Sequence, residues 1–120
     1  ETGKVVSVAN YNCPGQIVIT GEADAVEAAS EALKETGAKR CIPLKVSGPF
    51  HSALLKNAGE QLAEELKSVK LSTPWIPYVS NVTADYVTDA SQVAELLKQQ
   101  VSSPVQFTQS IERMIAWTLL

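Results

Sequence analysis

The sequence lacks the features that mark several large classes of proteins. None of its apolar runs approaches the roughly 20 residues that a membrane span requires, and no charged-then-apolar leader of the signal-peptide kind opens it. Lysine and arginine number 10 against 13 acidic residues, giving a net charge of −3, so the clustered positive charge that binds nucleic acid is missing. The sequence therefore predicts neither a membrane nor a nucleic acid as a partner.

Cysteine and histidine are scarce, with two of the first and one of the second among 120 residues. Cys13 and Cys41 are too few and too far apart for a disulfide scaffold or a zinc site. A single histidine among scattered carboxylates also shows no ligand spacing for another metal. We therefore expect a reducing, cytoplasmic setting and no bound metal.

The first part of the chain has the patterns of two strands, a helix and a third strand. Alternating and β-branched runs on either side of a Pro-Gly turn predict a hairpin over 4–21. An amphipathic run at 23–37 predicts a helix, and Gly37 is the residue type that commonly follows a helix end. A further alternating run predicts a strand over 38–47, with one face made of Ile42, Leu44 and Val46.

From residue 51 onward the apolar period becomes helical. The predicted buried stripe of the first helix consists of Leu54, Leu55, Ala58, Leu62 and Leu66. Two prolines interrupt 74–87, which is expected to be a loop leading to a short strand at Tyr78–Ser80. Asp89 has the position of an N-cap for a helix that runs to about Gln100, and Pro104 has the N1 position of a last helix. The residues expected to face inward from that last helix are Phe107, Ile111, Met114 and Ile115.

The predicted order is β-β-α-β, followed by helices and a short strand, which indicates an α/β (α+β) fold. The Gly-Pro break near residue 48 divides the chain into two parts, 1–47 and 48–120. The order β-β-α-β is also what a ferredoxin-like split βαβ unit leaves when its first strand and helix are missing. We therefore expect an incomplete ferredoxin-like subdomain over 1–47, in a chain that is part of a longer protein.

The single histidine, His51, lies at this break in the stretch VSGPFHSALL. Histidine takes up and releases protons near neutral pH, but a general base needs a nucleophile to activate. A surface or capping histidine is the alternative, and the residues by themselves favour it. The hydroxyl and thiol groups that it could activate belong to Cys13, Cys41, Ser47 and Ser52. None of them lies in a G-x-S-x-G elbow, and we interpret all four as structural, with Ser52 as a helix N-cap and Cys41 as a filler of an edge strand.

Asn10 and Asn12 flank a tyrosine in the segment NYNCPGQ. Side-chain amides both donate and accept hydrogen bonds, so the two residues could bind an amide-containing ligand. The simpler alternative, that Asn12 bonds to its own turn, remains open.

Four blocks of the sequence occur in the same order and at similar spacing in the malonyl-CoA:acyl carrier protein transacylases, a family that this chain resembles from about Val5 to Met114. The blocks are VANYNCPGQIVITG, GAKRCIPLKVSGPFHSALL, YVSNVTADYVTD and LLKQQVSSPVQFTQSIERM. The resemblance implies that 48–120 belongs to an α/β-hydrolase-like acyltransferase core. It also implies an enzyme of fatty-acid biosynthesis that moves malonyl from coenzyme A to the phosphopantetheine thiol of acyl carrier protein through a malonyl-serine. Malonyl-CoA and acyl carrier protein are then the partners, and no cofactor is expected.

The resemblance implies roles for five residues. His51 matches the catalytic histidine of the family. Gln100 matches the glutamine whose backbone carbonyl orients that histidine, in the place of the Asp of a Ser-His-Asp triad. Phe50 matches a bulky residue associated with malonyl rather than methyl-branched units, and Asn10 and Asn12 match a stretch that faces the pantetheine channel.

Three parts of the family's site have no counterpart in this chain: the nucleophilic serine, the arginine that pairs with the malonyl carboxylate, and the loop that supplies an oxyanion N–H. We therefore expect the chain by itself to be inactive. Three alternatives stay open. The chain could come from an acyltransferase domain of a polyketide or multidomain fatty-acid synthase. It could be a non-catalytic module that binds acyl carrier protein or coenzyme A, with Lys39 and Arg40 facing an acidic carrier. It could also self-associate through exposed core faces.

Overall fold

A computed structural model describes residues 3–118 as a mixed α/β structure with four α-helices and two small sheets. The strands of the described residues are β1 (Val6–Cys13), β2 (Gln16–Gly21), β3 (Tyr78–Ser80), β4 (Asp85–Val87) and β5 (Val105–Gln106). The helices are α1 (Ala23–Glu35), α2 (Lys56–Leu66), α3 (Ala90–Ser102) and α4 (Phe107–Thr118), and a short 3₁₀ helix at Ala53–Leu55 precedes α2.

The predicted hairpin is confirmed, since β1 and β2 pair antiparallel around the Pro-Gly turn. Gly15 has a φ of 82°, the value that the third position of a type II turn requires and that glycine adopts without strain. On its other side β1 pairs in parallel with β5, so the sheet order is β2-β1-β5. The sheet therefore joins one strand from the end of the chain to two from its beginning.

Helix α1 packs against the hairpin and ends as its sequence predicts. Ala25 is buried on its inner face. At its end Gly37 has a φ of 112°, while the N–H of Gly37 bonds to Lys34 O and that of Ala38 to Leu33 O. These two bonds form a Schellman motif, in which a left-handed glycine lets the chain satisfy the last helical carbonyls.

The predicted strand over 38–47 is wrong, because the segment has no regular secondary structure. Its alternating residues are exposed, at 67% for Ile42, 60% for Leu44 and 65% for Val46. A strand exists only where its backbone groups pair with a neighbour. No strand among residues 3–118 pairs with this segment, and Pro43 lacks an N–H to donate.

Helices α2 and α3 pack closely against each other. Gly59 is buried in α2, and a Cβ atom placed there would lie 2.9 Å from the backbone oxygen of Lys98 in α3. The Lys98 ammonium also forms an ion pair of 3.1 Å with Glu60. Of the predicted α2 stripe, Leu55, Leu62 and Leu66 are half-buried, whereas Leu54 and Ala58 are exposed.

The region after α2 contains three strands, of which the sequence indicated only the first. The short strand at Tyr78–Ser80 is confirmed, and it pairs antiparallel with β4. The strands β4 and β5 were not predicted. The last helix begins at Phe107 rather than at Pro104, because residues 105 and 106 form β5. The side chains expected to face inward from α4 are exposed: Phe107 at 47%, Ile111 at 38%, Met114 at 37% and Ile115 at 53%. Their common helical face is real, but residues 3–118 cover it only in part.

Candidate active site

The histidine lies in a tight turn just before the 3₁₀ helix. Its φ is 57°, a left-handed conformation that few residues other than glycine adopt, although asparagine, aspartate and histidine adopt it more often than the rest. The N–H of Phe50 bonds to Gly48 O at 3.0 Å, and the hydroxyl of Ser52 donates to Pro49 O at 2.7 Å. Two hydrogen bonds and a proline of fixed φ thus hold the backbone on both sides of His51.

The ring of His51 reaches α3, where its Nδ1 lies 2.9 Å from the backbone oxygen of Gln100. The side chain is half-buried, and the two residues are 49 positions apart in the chain. A carbonyl oxygen can only accept a hydrogen bond, so Nδ1 must be the donor. In the neutral imidazole this leaves Nε2 without a proton and with a free lone pair.

The Gln100 carbonyl is available because of where α3 ends. A helical carbonyl accepts from the N–H four residues later, and the last four carbonyls of a helix have no such partner. Gln100 lies in this last turn, and the residue four positions on is Pro104, which has no N–H. The side-chain amide of Gln100 makes a separate bond, in which it donates to Ser103 O at 3.2 Å. The carbonyl is therefore free to accept from His51.

The packing of α2 against α3 sets the distance between donor and acceptor. His51 precedes the first of these helices and Gln100 lies near the end of the second. Because Gly59 has no Cβ, the two helix backbones can approach closely at Lys98, two residues before Gln100. A larger residue at this contact would move the histidine turn away from the carbonyl.

Phe50 and the two asparagines take different positions relative to this pair. Phe50 is adjacent to His51 and its side chain is 51% exposed. Asn10 and Asn12 lie on β1 and are half-buried; Asn10 is opposite Val105 of β5, the strand that follows α3. No hydrogen bond connects either asparagine with His51 in the part of the chain that the structure describes.

The four candidate nucleophiles differ in their surroundings. Ser52 is only 1% exposed and donates to a backbone carbonyl. It has the N-cap position of the 3₁₀ helix, but its side chain makes no capping bond, which corrects that expectation. Cys41 lies in no strand and its thiol contacts Ser30 O at 3.5 Å, while Cys13 is exposed and free. Ser47 is also exposed.

Sequence reasoning missed two features of the site: the left-handed backbone of His51 and the bond that closes its turn. The free carbonyl of Gln100 could have been predicted from the sequence, because a proline follows four residues later.

Among residues 3–118 no group of three or more His, Cys, Asp and Glu side chains could hold a metal ion. None of the described helices is long and apolar enough to cross a membrane.

Comparison with known proteins identifies the family of this chain. The family model described as an acyl transferase domain matches residues 2–118. The malonyl CoA-acyl carrier protein transacylase of Bacillus subtilis is 53% identical over 116 residues, which are 97% of this chain and 37% of that protein. The chain thus spans little more than a third of the length of the curated relatives it matches.

Two solved structures are also closely similar. The acyl carrier protein S-malonyltransferase of Vibrio cholerae has a TM-score of 0.94 at 45% identity, over 97% of this chain and 38% of that one. A malonyl-transacylase in complex with a type II PKS acyl-carrier protein has a TM-score of 0.94 at 40% identity, over 98% and 38% of the respective chains. This chain belongs to the acyl transferase domain family, and its relatives are malonyl CoA-acyl carrier protein transacylases.

Proposed function

We propose that this chain is the histidine-bearing part of an acyltransferase that moves malonyl from coenzyme A to the thiol of acyl carrier protein, in the cytoplasm and without a cofactor. The observation that carries the proposal is the 2.9 Å contact between His51 Nδ1 and the Gln100 carbonyl. It leaves Nε2 as a proton acceptor of fixed direction, which is what a general base needs. Two free cysteines are consistent with a reducing compartment.

In the first half-reaction, Nε2 of His51 takes the proton of a serine hydroxyl while the serine oxygen attacks the thioester carbonyl of malonyl-CoA. The Gln100 carbonyl stabilises the imidazolium that forms, as the carboxylate of a Ser-His-Asp triad does. The tetrahedral intermediate collapses, the C–S bond breaks, and the imidazolium returns the proton to the coenzyme A sulfur. Malonyl-serine remains.

In the second half-reaction, Nε2 takes the proton of the carrier's thiol, and the sulfur attacks the malonyl-serine ester. A C–S bond forms, the C–O bond to serine breaks, and the proton passes to the serine oxygen. The serine in this scheme belongs to the longer protein, since none of the serines in this chain lies in a G-x-S-x-G elbow.

Three further residues have proposed roles in binding substrate. Phe50 is exposed next to His51, where its ring would fill the space that an α-methyl group on the acyl unit needs. Asn10 and Asn12 lie on the strand that pairs with β5, and their amides would bond to the two amides of pantetheine. In the proposed architecture 1–47 belongs to a ferredoxin-like subdomain and 48–120 to an α/β-hydrolase-like core.

The test is to graft residues 3–118 in place of the matching segment of the Vibrio cholerae S-malonyltransferase, whose structure superposes on this chain. The graft is incubated with malonyl-CoA and acyl carrier protein, and malonyl transfer is followed by intact mass. We expect transfer by the graft and none by this chain alone. A correctly folded graft without transfer would contradict the proposal.

A second candidate is the acyltransferase of a polyketide system. It is supported by the relative whose structure contains a type II PKS acyl-carrier protein. Comparing the graft's rates with carriers of the fatty-acid and polyketide types distinguishes the two. A third candidate, a non-catalytic module that binds the carrier or coenzyme A, rests on the exposed pair Lys39 and Arg40. Titration of the isolated chain with either molecule tests it, and a failure to bind at millimolar concentration would exclude it.

A further inference from the structure

We propose that Ser52 and Pro104 are positioning residues that together keep the proton of His51 on Nδ1. Ser52 fixes the donor's backbone, and Pro104 keeps the acceptor carbonyl free. In this proposal neither side chain touches substrate or the reacting atoms. The inference rests on the proposed function for its catalytic meaning, but the proton's location can be measured independently of activity.

The donor side depends on the turn from residue 49 to 52. A histidine at a φ of 57° is in a backbone conformation that is unfavourable unless its surroundings enforce it. The bond from Ser52 Oγ to Pro49 O closes the turn across this residue at 2.7 Å. Ser52 is also the most buried of the polar residues among 3–118, at 1% exposure, so water has little access to replace the bond. Losing it would free the backbone of His51 to leave the left-handed region.

The acceptor side depends on how α3 ends. Ser103 has φ −115° and ψ 151°, the extended conformation that a following proline favours. Pro104 has no N–H and could not bond to the Gln100 carbonyl even if the helix continued. With alanine at this position the helix could extend by a residue, and the new N–H would compete with His51 for the same oxygen. Pro104 therefore prevents a competitor at the carbonyl.

The test uses the fact that His51 is the only histidine of the chain, so a single imidazole contributes to the spectrum. Ring ¹⁵N shifts of the isolated chain are recorded at about pH 9, so that the neutral imidazole is observed. They give the ratio of the Nδ1–H to the Nε2–H form. We expect the Nδ1–H form to dominate in the unmodified chain, although a free histidine side chain prefers the proton on Nε2.

Ser52→Ala and Pro104→Ala should each lower that ratio by roughly tenfold, the order expected for one hydrogen bond. Ser52→Thr retains a hydroxyl and should retain the ratio. Ser110→Ala is the matched control for the serine, because Ser110 is also buried, at 2% exposure, and donates to a carbonyl at 2.7 Å, that of Gln106. Pro43→Ala in the exposed segment is the control for the proline. Both controls should leave the ratio unchanged.

A dominant Nε2–H form in the unmodified chain would overturn the proposal, and so would variants whose ratio stays within about twofold of it. An equal shift in the controls would also overturn it, because general loosening would then explain the result. If Ser52→Ala does not fold, the ratios measured for Pro104→Ala and Ser52→Thr still test the proposal. An inactive graft combined with the predicted ratios would contradict the proposed function and leave this inference standing.

Discussion

The imidazole of His51 donates to the backbone carbonyl of Gln100, not to its side chain. Replacing Gln100 by alanine should therefore leave the Nδ1–H form of His51 unchanged, because the acceptor belongs to the main chain. The side chain's own bond to Ser103 O would be lost, at a cost of about 1 kcal/mol in the free energy of unfolding. Ring ¹⁵N shifts and urea unfolding measure the two effects. A shift of the proton to Nε2 in Gln100→Ala would show that the side chain orients the histidine.

Gly59 should resist substitution although it lies inside a helix, where alanine usually adds up to about 1 kcal/mol of stability. Its missing Cβ is what allows the Lys98 backbone to approach, since the atom would lie 2.9 Å from Lys98 O. We expect Gly59→Ala to lower the free energy of unfolding by about 1–3 kcal/mol, as overpacking does. Gly48→Ala is the control, because its added methyl would meet only the Phe50 ring edge at 3.9 Å. A Gly59→Ala variant as stable as the unmodified chain would contradict this role of the helix contact.

Asp85 should titrate below its ordinary pKa of 3.8, because the Arg113 guanidinium hydrogen-bonds to its carboxylate at 2.8 Å. A carboxyl whose pKa is lower in the folded state contributes stability above its unfolded pKa. That contribution is lost as the pH falls through the folded pKa. Arg113→Gln should raise the pKa of Asp85 toward its ordinary value and weaken the pH dependence of unfolding below about pH 4.

The control for this titration is present in the same spectrum. Asp89 also has a lowered pKa, but its cause is the hydrogen bonding to Ser91 at the start of α3. Carboxyl ¹³C titration of Arg113→Gln should therefore move Asp85 and leave Asp89 in place. If both carboxyls moved, the substitution would have disturbed the fold rather than one ion pair.

The exposed face of α4 should make the isolated chain self-associate. Phe107, Ile111, Met114 and Ile115 share one helical face and are each more than a third exposed, and contiguous apolar surface of this kind favours association. Sedimentation should show a weight-average mass that rises with concentration and a smaller rise for Ile115→Lys. Ile17→Lys is the matched control, since Ile17 on β2 is exposed to a similar extent, 56% against 53%. A monomer at high concentration would exclude this expectation.

The parts of the fold that the sequence predicted are those that local chemistry determines. The hairpin follows from a Pro-Gly turn between β-branched runs, the end of α1 from Gly37, and the start of α3 from Asp89, whose carboxylate accepts from the Ser91 N–H. Each of these signals lies within a few residues of the structure that it specifies, so distant parts of the chain cannot easily override it.

The parts that failed depend on a partner elsewhere. Residues 38–47 alternate as a strand does, but without a neighbouring strand their backbone has nothing to pair with. Strand β5 has only two residues, too few for any period to be recognised. On α4 the apolar pattern correctly predicted which residues share one helical face, but such a pattern does not identify the surface that covers this face. The site divides in the same way. The resemblance brought His51 and Gln100 together, whereas no sequence pattern indicates the left-handed turn or the Ser52 bond that closes it.

The most direct test of the account is the malonyl transfer rate of the graft with and without His51→Ala. If His51 is the general base, its removal should lower the rate by about 10²–10⁴-fold. Gln100→Ala, which keeps the carbonyl, should stay close to the unmodified graft. Circular dichroism and urea unfolding check that the variants fold. A folded His51→Ala graft that transfers malonyl at the unmodified rate would contradict the central claim that this histidine carries the proton in acyl transfer.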